Sequence, residues 1–177
     1  MFNELDNLKV FFEEPAREFH LRELSRITKK NPVTVKTHLK MFVKIGVIKR
    51  KKERNLELYS ANTENFHYKE YKRVYNKTKL LESGLINFLK DELSLPTIVL
   101  FGSYEKGEDN QNSDIDIFIL TEAKKQLDMD NYEKKLNRSV QLHIINRKEF
   151  ETMKKKNPDI INNIINGSVL CGFIEVL

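Results

Sequence analysis

TIVLFGSYEKGEDNQNSDIDIFIL, residues 97–120, is the stretch from which the rest of the chain can be understood. Thr97 to Phe101 is a short apolar run bounded by Pro96 and Gly102, the pattern of a buried strand. Gly102-Ser103 then forms a tight turn, ten mostly polar residues follow, and Asp114 to Leu120 reads as a second strand. Residues i and i+2 of a strand share a face, so Asp114 and Asp116 are expected to point together while Ile115 and Ile117 enter the core. Two carboxylates on one face repel unless a cation lies between them. Hard oxygen donors of this kind favour Mg²⁺ or Mn²⁺. The backbone N–H groups and hydroxyl of a Gly-Ser turn suit a phosphate. A phosphate cradle beside metal-binding carboxylates is the equipment of nucleotidyl transfer.

The same stretch resembles the signature of the small nucleotidyltransferases of the polymerase-beta superfamily. The resemblance rests on Gly102-Ser103, the ten-residue gap and Asp114-Ile115-Asp116; Gly107 and Ser113 match the minimal, prokaryotic-type members. It covers the chain from about Leu80 onward. Gly102 and Gly107 also have the spacing of a phosphate-binding P-loop, but Glu108 stands where that motif needs its lysine. The resemblance implies that Asp114 and Asp116 are the catalytic and metal-binding residues. Gly102 and Ser103 would hold the β- and γ-phosphates of an NTP, ATP first among them, with Lys106 and Ser113 as further nucleotide contacts. It also implies a third carboxylate on the neighbouring strand. Here the segment expected to form that strand reads Val140-Gln141-Leu142-His143, so an amide and an imidazole share the face where the acid should be. Asp128, Asp130 and Glu133 lie nearby in sequence, on an expected loop or helix. His143 reads as a polar residue at a strand edge, with a metal or substrate role as the alternative.

Composition sets the frame for this motif. The chain has 177 residues, 40% hydrophobic and 32% charged, which suits one medium domain or two small ones. Its apolar runs are too short to span a bilayer, no signal-peptide pattern opens it, and Cys171 alone cannot form an intrachain disulfide. These features imply a cytoplasmic protein without membrane attachment. Without a Cys/His cluster, zinc is not expected. The net charge of +5 is unevenly spread: residues 1–62 carry 14 Lys+Arg against 8 Asp+Glu, whereas residues 63–177 carry 17 against 18. A polyanionic partner is therefore expected for the N-terminal third.

That third has its own pattern. Phe2, Leu5, Leu8 and Phe12 predict an amphipathic helix ending near Pro15, and Leu21, Leu24 and Ile27 a second. Asn31 and Pro32 open a third, to Ile45, with Val35, Leu39 and Phe42 on its buried stripe. A hairpin turning at Arg54-Asn55 follows, with Ile48, Leu56 and Leu58 available for its inner face. Three helices and a basic hairpin resemble a winged helix-turn-helix. On that resemblance Thr34, Lys36, Thr37, Lys40 and Lys44 would face the major groove of duplex DNA, and Lys51, Lys52 and Arg54, beside Lys49 and Arg50, would form the wing. A protein-facing adaptor surface is the alternative. Residues 63–79 read as a helical connector with Tyr68, Tyr71, Val74 and Tyr75 in a stripe, expected to serve an interdomain or dimer contact.

The expected fold is α+β: a winged helix-turn-helix at 1–62, a connector at 63–79, and a nucleotidyltransferase domain with a small mixed sheet at 80–177. The favoured function is Mg²⁺-dependent transfer of a nucleoside monophosphate from an NTP to an unknown acceptor, joined to a DNA-binding module. The alternative is a DNA-binding transcriptional regulator whose transferase domain senses nucleotide with impaired catalysis, the reading that Gln141 favours. A third is a non-catalytic adaptor. A second copy of the chain or a toxin-like protein is a further candidate partner.

Overall fold

The computed structural model describes residues 7–54 and 56–174. Its contacts divide the chain into two units, residues 1–75 and 76–177. The expected boundaries at 62 and 80 fall on either side of this division, because the helix between them supplies side chains to both cores.

The first unit contains α1 (Lys9–Glu13), β1 (Phe19–His20), α2 (Leu21–Thr28), α3 (Pro32–Lys44), β2 (Ile48–Glu53), β3 (Leu56–Ala61) and the first part of α4 (Phe66–Glu82). Phe2, Leu5 and Asn55 lie outside the described residues. The three strands form an antiparallel sheet in the order β1-β3-β2. Asn31 caps α3 by accepting a hydrogen bond from the Val33 N–H at 2.8 Å, and Pro32 occupies the first turn, where a missing donor costs nothing. Val35, Leu39 and Phe42 of α3 are buried with Phe11, Phe19 and Leu24. Two inner-face expectations are corrected. Ile27 is exposed, and the hairpin turns Tyr59 and Ala61 inward with Ile48, leaving Leu56 exposed. The alternation of β3 is one residue out of phase with the expected one, and a shift of one residue exchanges the two faces of a strand.

The tyrosine stripe is also corrected. Tyr68 is buried in the first unit's own core, where its hydroxyl donates to the Phe11 carbonyl at 2.8 Å. Tyr75 donates to Glu13 at 2.7 Å, and Phe12 packs against both rings. These phenols are consumed in holding α4 to α1. Val74 remains exposed.

The second unit holds the end of α4, then α5 (Leu85–Glu92), β4 (Thr97–Phe101), α6 (Gly102–Lys106), β5 (Ile115–Leu120), α7 (Asp130–Leu136), β6 (Val140–Ile145), α8 (Arg147–Lys156), α9 (Pro158–Ile165) and β7 (Ser168–Cys171). Ser83 ends α4 by donating to the Leu80 carbonyl, and Gly84 turns into α5 with a left-handed φ of 83°. The strands form a mixed four-stranded sheet in the order β6-β5-β4-β7. β4 pairs antiparallel with β5 and β7, whereas β5 and β6 run parallel. Both faces of the sheet are covered. Ile98, Leu100, Ile115, Ile117 and Ile119 pack with Leu85 and Leu89 of α5 on one side; Val99 and Phe118 meet Phe150 of α8 and Ile161 and Ile164 of α9 on the other. Phe118 is fully buried, so truncating it to Ala would cost about 3–5 kcal/mol. Among the described residues the last strand is Ser168–Cys171, and Phe173 beyond it is exposed; residues 175–177 lie outside the described residues.

Candidate active site at the ends of β4 and β5

The strand β4 runs straight into α6, so Gly102-Ser103 is the first turn of a short helix, not an isolated turn. Gly102 has a φ of +76°, a backbone conformation that favours glycine. Phe101 lies opposite Asp116 in the ladder, and Gly102 lies beside the Asp116 carboxylate. A Cβ at Gly102 would overlap Asp116 Oδ2 and lie 3.1 Å from its Cγ. The space a side chain would fill is occupied by the acid. Gly107 ends the helix with a φ of +70°, and the Glu108 N–H returns to the Ser103 carbonyl at 3.0 Å.

Asp116 is half-buried on β5, whereas Asp114 is exposed and precedes the first residue of that strand. Burial raises the Asp116 carboxyl above its ordinary range; His143 partly offsets the rise and the Asp114 charge adds to it. The two acids therefore feel each other, as their spacing leads one to expect. Ser113 closes the loop before them: its hydroxyl accepts from the Asn110 N–H at 3.0 Å, and its own N–H donates to the Asn110 carbonyl. Lys106 is exposed on α6.

On β6, Gln141 lies in register with Asp116, and in-register residues of adjacent strands share a face. The position beside this half-buried acid is thus an amide. His143 is closer to the chemistry than a plain edge residue: its Nε2 lies 3.7 Å from Asp116 Oδ1, and its ring sits against Phe101 with centroids 5.3 Å apart. The i, i+2 relation of Gln141 and His143 was visible in sequence, but the parallel register that brings His143 to Asp116 was not.

A cleft of about 650 Å³ opens beside Asp114 and is lined by Ser113, Asp130, Glu133 and Arg138 among others. Glu133 is engaged there, accepting from the Val140 N–H at 2.7 Å and fixing the start of β6. Under the loop, the buried Asp109 accepts from Asn76 at 2.8 Å and pairs with Arg138 at 3.4 Å. Asn76 also donates to the Tyr104 carbonyl, so the residues following α6 are tied to α4. A second buried acid, Glu105, accepts from Ser168 at 2.7 Å and pairs with Lys77 at 3.4 Å, holding α6 to β7. Sequence reasoning missed both buried acids, because a lone Asp or Glu in a charged loop carries no sign of its partner.

The donor chemistry suits a divalent ion of the hard class. Asp114 and Asp116 supply carboxylate oxygens, and Mg²⁺ is commonly bound by one or two carboxylates together with substrate phosphates. Among the described residues, no three His, Cys, Asp or Glu side chains are grouped to hold one ion, so Asp130 and Glu133 do not complete a single protein coordination shell with the pair.

Comparison with protein families agrees with this geometry. The family model described as "Nucleotidyltransferase domain" matches residues 82–171, half of the chain, and its span includes β4, α6, β5, β6 and β7. The chain belongs to the nucleotidyltransferase domain family. No curated protein and no solved structure matches it. In this nucleotidyltransferase domain the match takes in the Gly102–Asp116 seat and the Asp114 loop together. Nucleotidyl transfer is the activity the family indicates, and it requires an NTP as donor.

Proposed function

We propose that this chain transfers a nucleoside monophosphate from an NTP, ATP first among them, to an acceptor hydroxyl, using Mg²⁺ or Mn²⁺ at Asp114 and Asp116. The observation that carries the reading is the close fit of Gly102 to Asp116, which sets a half-buried acid at the first turn of α6. Backbone N–H groups at Gly102 and Ser103 would meet the β- and γ-phosphates there, with the exposed Lys106 as a further cation. The acceptor oxygen bonds to the α-phosphorus, the bond from that phosphorus to the bridging oxygen breaks, and pyrophosphate leaves; the hydroxyl proton passes to solvent. A bound ion would neutralise triphosphate charge that the two carboxylates alone would repel.

A second reading is favoured by the register of Gln141 with Asp116. An amide gives no negative charge to a second divalent ion, so slow turnover, and a role in sensing nucleotide for transcriptional regulation, fits that position. To separate the two, the protein is incubated with each α-labelled NTP, Mg²⁺ and a cell extract. Transfer predicts a labelled macromolecule that disappears with Asp116→Ala, whereas sensing predicts nucleotide binding with no label transferred.

The first unit supports a winged helix-turn-helix reading, with duplex DNA as partner. Its exposed α3 residues Thr34, Lys36, Thr37, Lys40 and Lys44 face away from the buried stripe, and Lys51, Lys52 and Arg54 are exposed at the hairpin. Among the described residues no helix is long and apolar enough to cross a membrane. A cytoplasmic setting belongs to the same proposal and rests on the composition.

A further inference from the structure

The outward face of α3 has unusual chemistry for a groove-reading helix. Val33, in its first turn, is 73% exposed. Thr37, one turn later on the same side, is exposed, but its hydroxyl donates to the Val33 carbonyl at 3.0 Å. With that hydroxyl held inside the helix, Thr37 offers its methyl group. Two polar groups able to name a base, those of Asn31 and His38, are engaged elsewhere. Asn31 uses its Oδ1 to cap the helix, which removes the paired acceptor and donor that an adenine edge requires. His38 is half-buried and bonded to Asn7. Thr34 keeps a hydroxyl, a group that donates or accepts and so distinguishes bases poorly.

The cations adjoin this apolar pole along the helix. Lys36, Lys40 and Lys44 line a pocket of about 230 Å³ with Arg50 of β2 and Tyr59 of β3. Tyr59 stays a neutral phenol there: burial and its bond to Glu57 push its pKa up to about 12. A row of ammonium groups flanking a neutral, methyl-bearing stripe is complementary to a phosphate backbone beside a groove floor.

We propose that α3 reads thymine in the major groove of duplex DNA through the methyl groups of Val33 and Thr37, while Lys36, Lys40, Lys44 and Arg50 hold the adjacent phosphates. The inference rests on the DNA-binding reading above and adds the base that is recognised. The C5-methyl of thymine is the one apolar group a base edge presents in that groove, and it is the group that the exposed Val33 side chain and the Thr37 methyl are suited to meet.

The test uses the full-length chain and a library of randomised duplexes. The fraction retained by the protein is recovered and resynthesised with either thymine or uracil, which differs only by the absent methyl. Wild type should bind the uracil duplexes more weakly, by about fourfold for each thymine methyl buried. Thr37→Ser keeps the hydroxyl bonded in the helix and deletes the methyl alone, and Val33→Ala trims an exposed side chain; combined, they should bring the thymine and uracil affinities together. Equal binding of both duplexes by wild type overturns the thymine assignment and leaves DNA binding standing. A uracil penalty that persists unchanged in the double variant also overturns it, because the effect then arises from DNA shape. No retention of any duplex at low salt overturns the DNA-binding reading itself and points to a protein partner.

Discussion

Gly102 and Asp116 share one small volume: the missing side chain of the first is the seat of the carboxylate of the second. The contact joins the end of β4 to the start of β5 across the antiparallel ladder, where Phe101 opposes Asp116. It also makes the glycine of the motif a packing requirement as well as a conformational one.

Gly102→Ala should therefore cost more than its φ of +76° alone implies. Left-handed backbone costs about 1–2 kcal/mol for a non-glycine residue, and displacement of the Asp116 carboxylate adds to it. Combining Gly102→Ala with Asp116→Ala should recover part of the loss, because the clash goes while the backbone strain stays. Urea unfolding of the four proteins in the cycle measures this coupling. Strict additivity would show that the two residues do not compete for space.

Asp116 also sets a pH dependence in the metal-free protein. Its carboxyl lies above the ordinary range because it is buried, so the unfolded chain loses this proton at lower pH than the folded chain does. Ionised Asp116 then destabilises the fold above that window; once the pH falls below the unfolded value, both states hold the proton and the penalty vanishes. Asp116→Asn should be more stable than wild type at neutral pH in a chelator, and the difference should shrink as pH falls through the ordinary carboxylate range. Denaturant midpoints at neutral and acidic pH check this. A neutral-pH loss of stability in the Asn variant would contradict it.

Much of this arrangement is legible in the sequence because it is local. The apolar run 97–101, the Gly-Ser pair and the i, i+2 aspartates fix two strands and the junction between them without any long-range information. What stays hidden depends on register between distant segments. The parallel pairing of β5 with β6 brings His143 to Asp116, and nothing in Val140–Ile145 specifies that alignment. In the first unit, Leu56 and Leu58 are as apolar as Tyr59, so the inward face of β3 is settled by its pairing with β1, Phe19 opposite Tyr59. The tyrosines of α4 are ambiguous in sequence for a related reason. Tyr68 looks like a surface stripe until the Phe11 carbonyl is found at its hydroxyl.

Gln141 offers a gain-of-function prediction. Gln141 lies in register with Asp116, and under the proposed function an acid at that position would help hold a second ion near the attacking hydroxyl. Gln141→Asp or Gln141→Glu should speed single-turnover transfer while changing NTP affinity little, since that charge acts on the transition state more than on nucleotide binding. The measurement is transfer of radiolabel over a range of Mg²⁺ and Mn²⁺ concentrations. Brisk wild-type turnover that neither acid improves would mean the site is already complete.

The basic hairpin predicts a salt dependence. Lys51, Lys52 and Arg54 are exposed, and Lys51 has Glu53 at 3.4 Å, a surface pair worth little in water. If each of the three meets a phosphate, replacing them together should flatten the log–log slope of duplex affinity against salt by about 2.7. Affinities measured across a salt series give the slope directly, and an unchanged value would remove the hairpin from the DNA contact.

The most direct test of the central claim, that Asp114 and Asp116 hold a metal-bound NTP, is equilibrium titration of labelled ATP with and without Mg²⁺. Wild type should bind ATP tightly only when Mg²⁺ is present, and Asp114→Ala and Asp116→Ala should each lose that Mg²⁺-dependent binding while unfolding at or above the wild-type midpoint. Variants that bind Mg²⁺·ATP as wild type does would place the nucleotide site elsewhere and contradict the account.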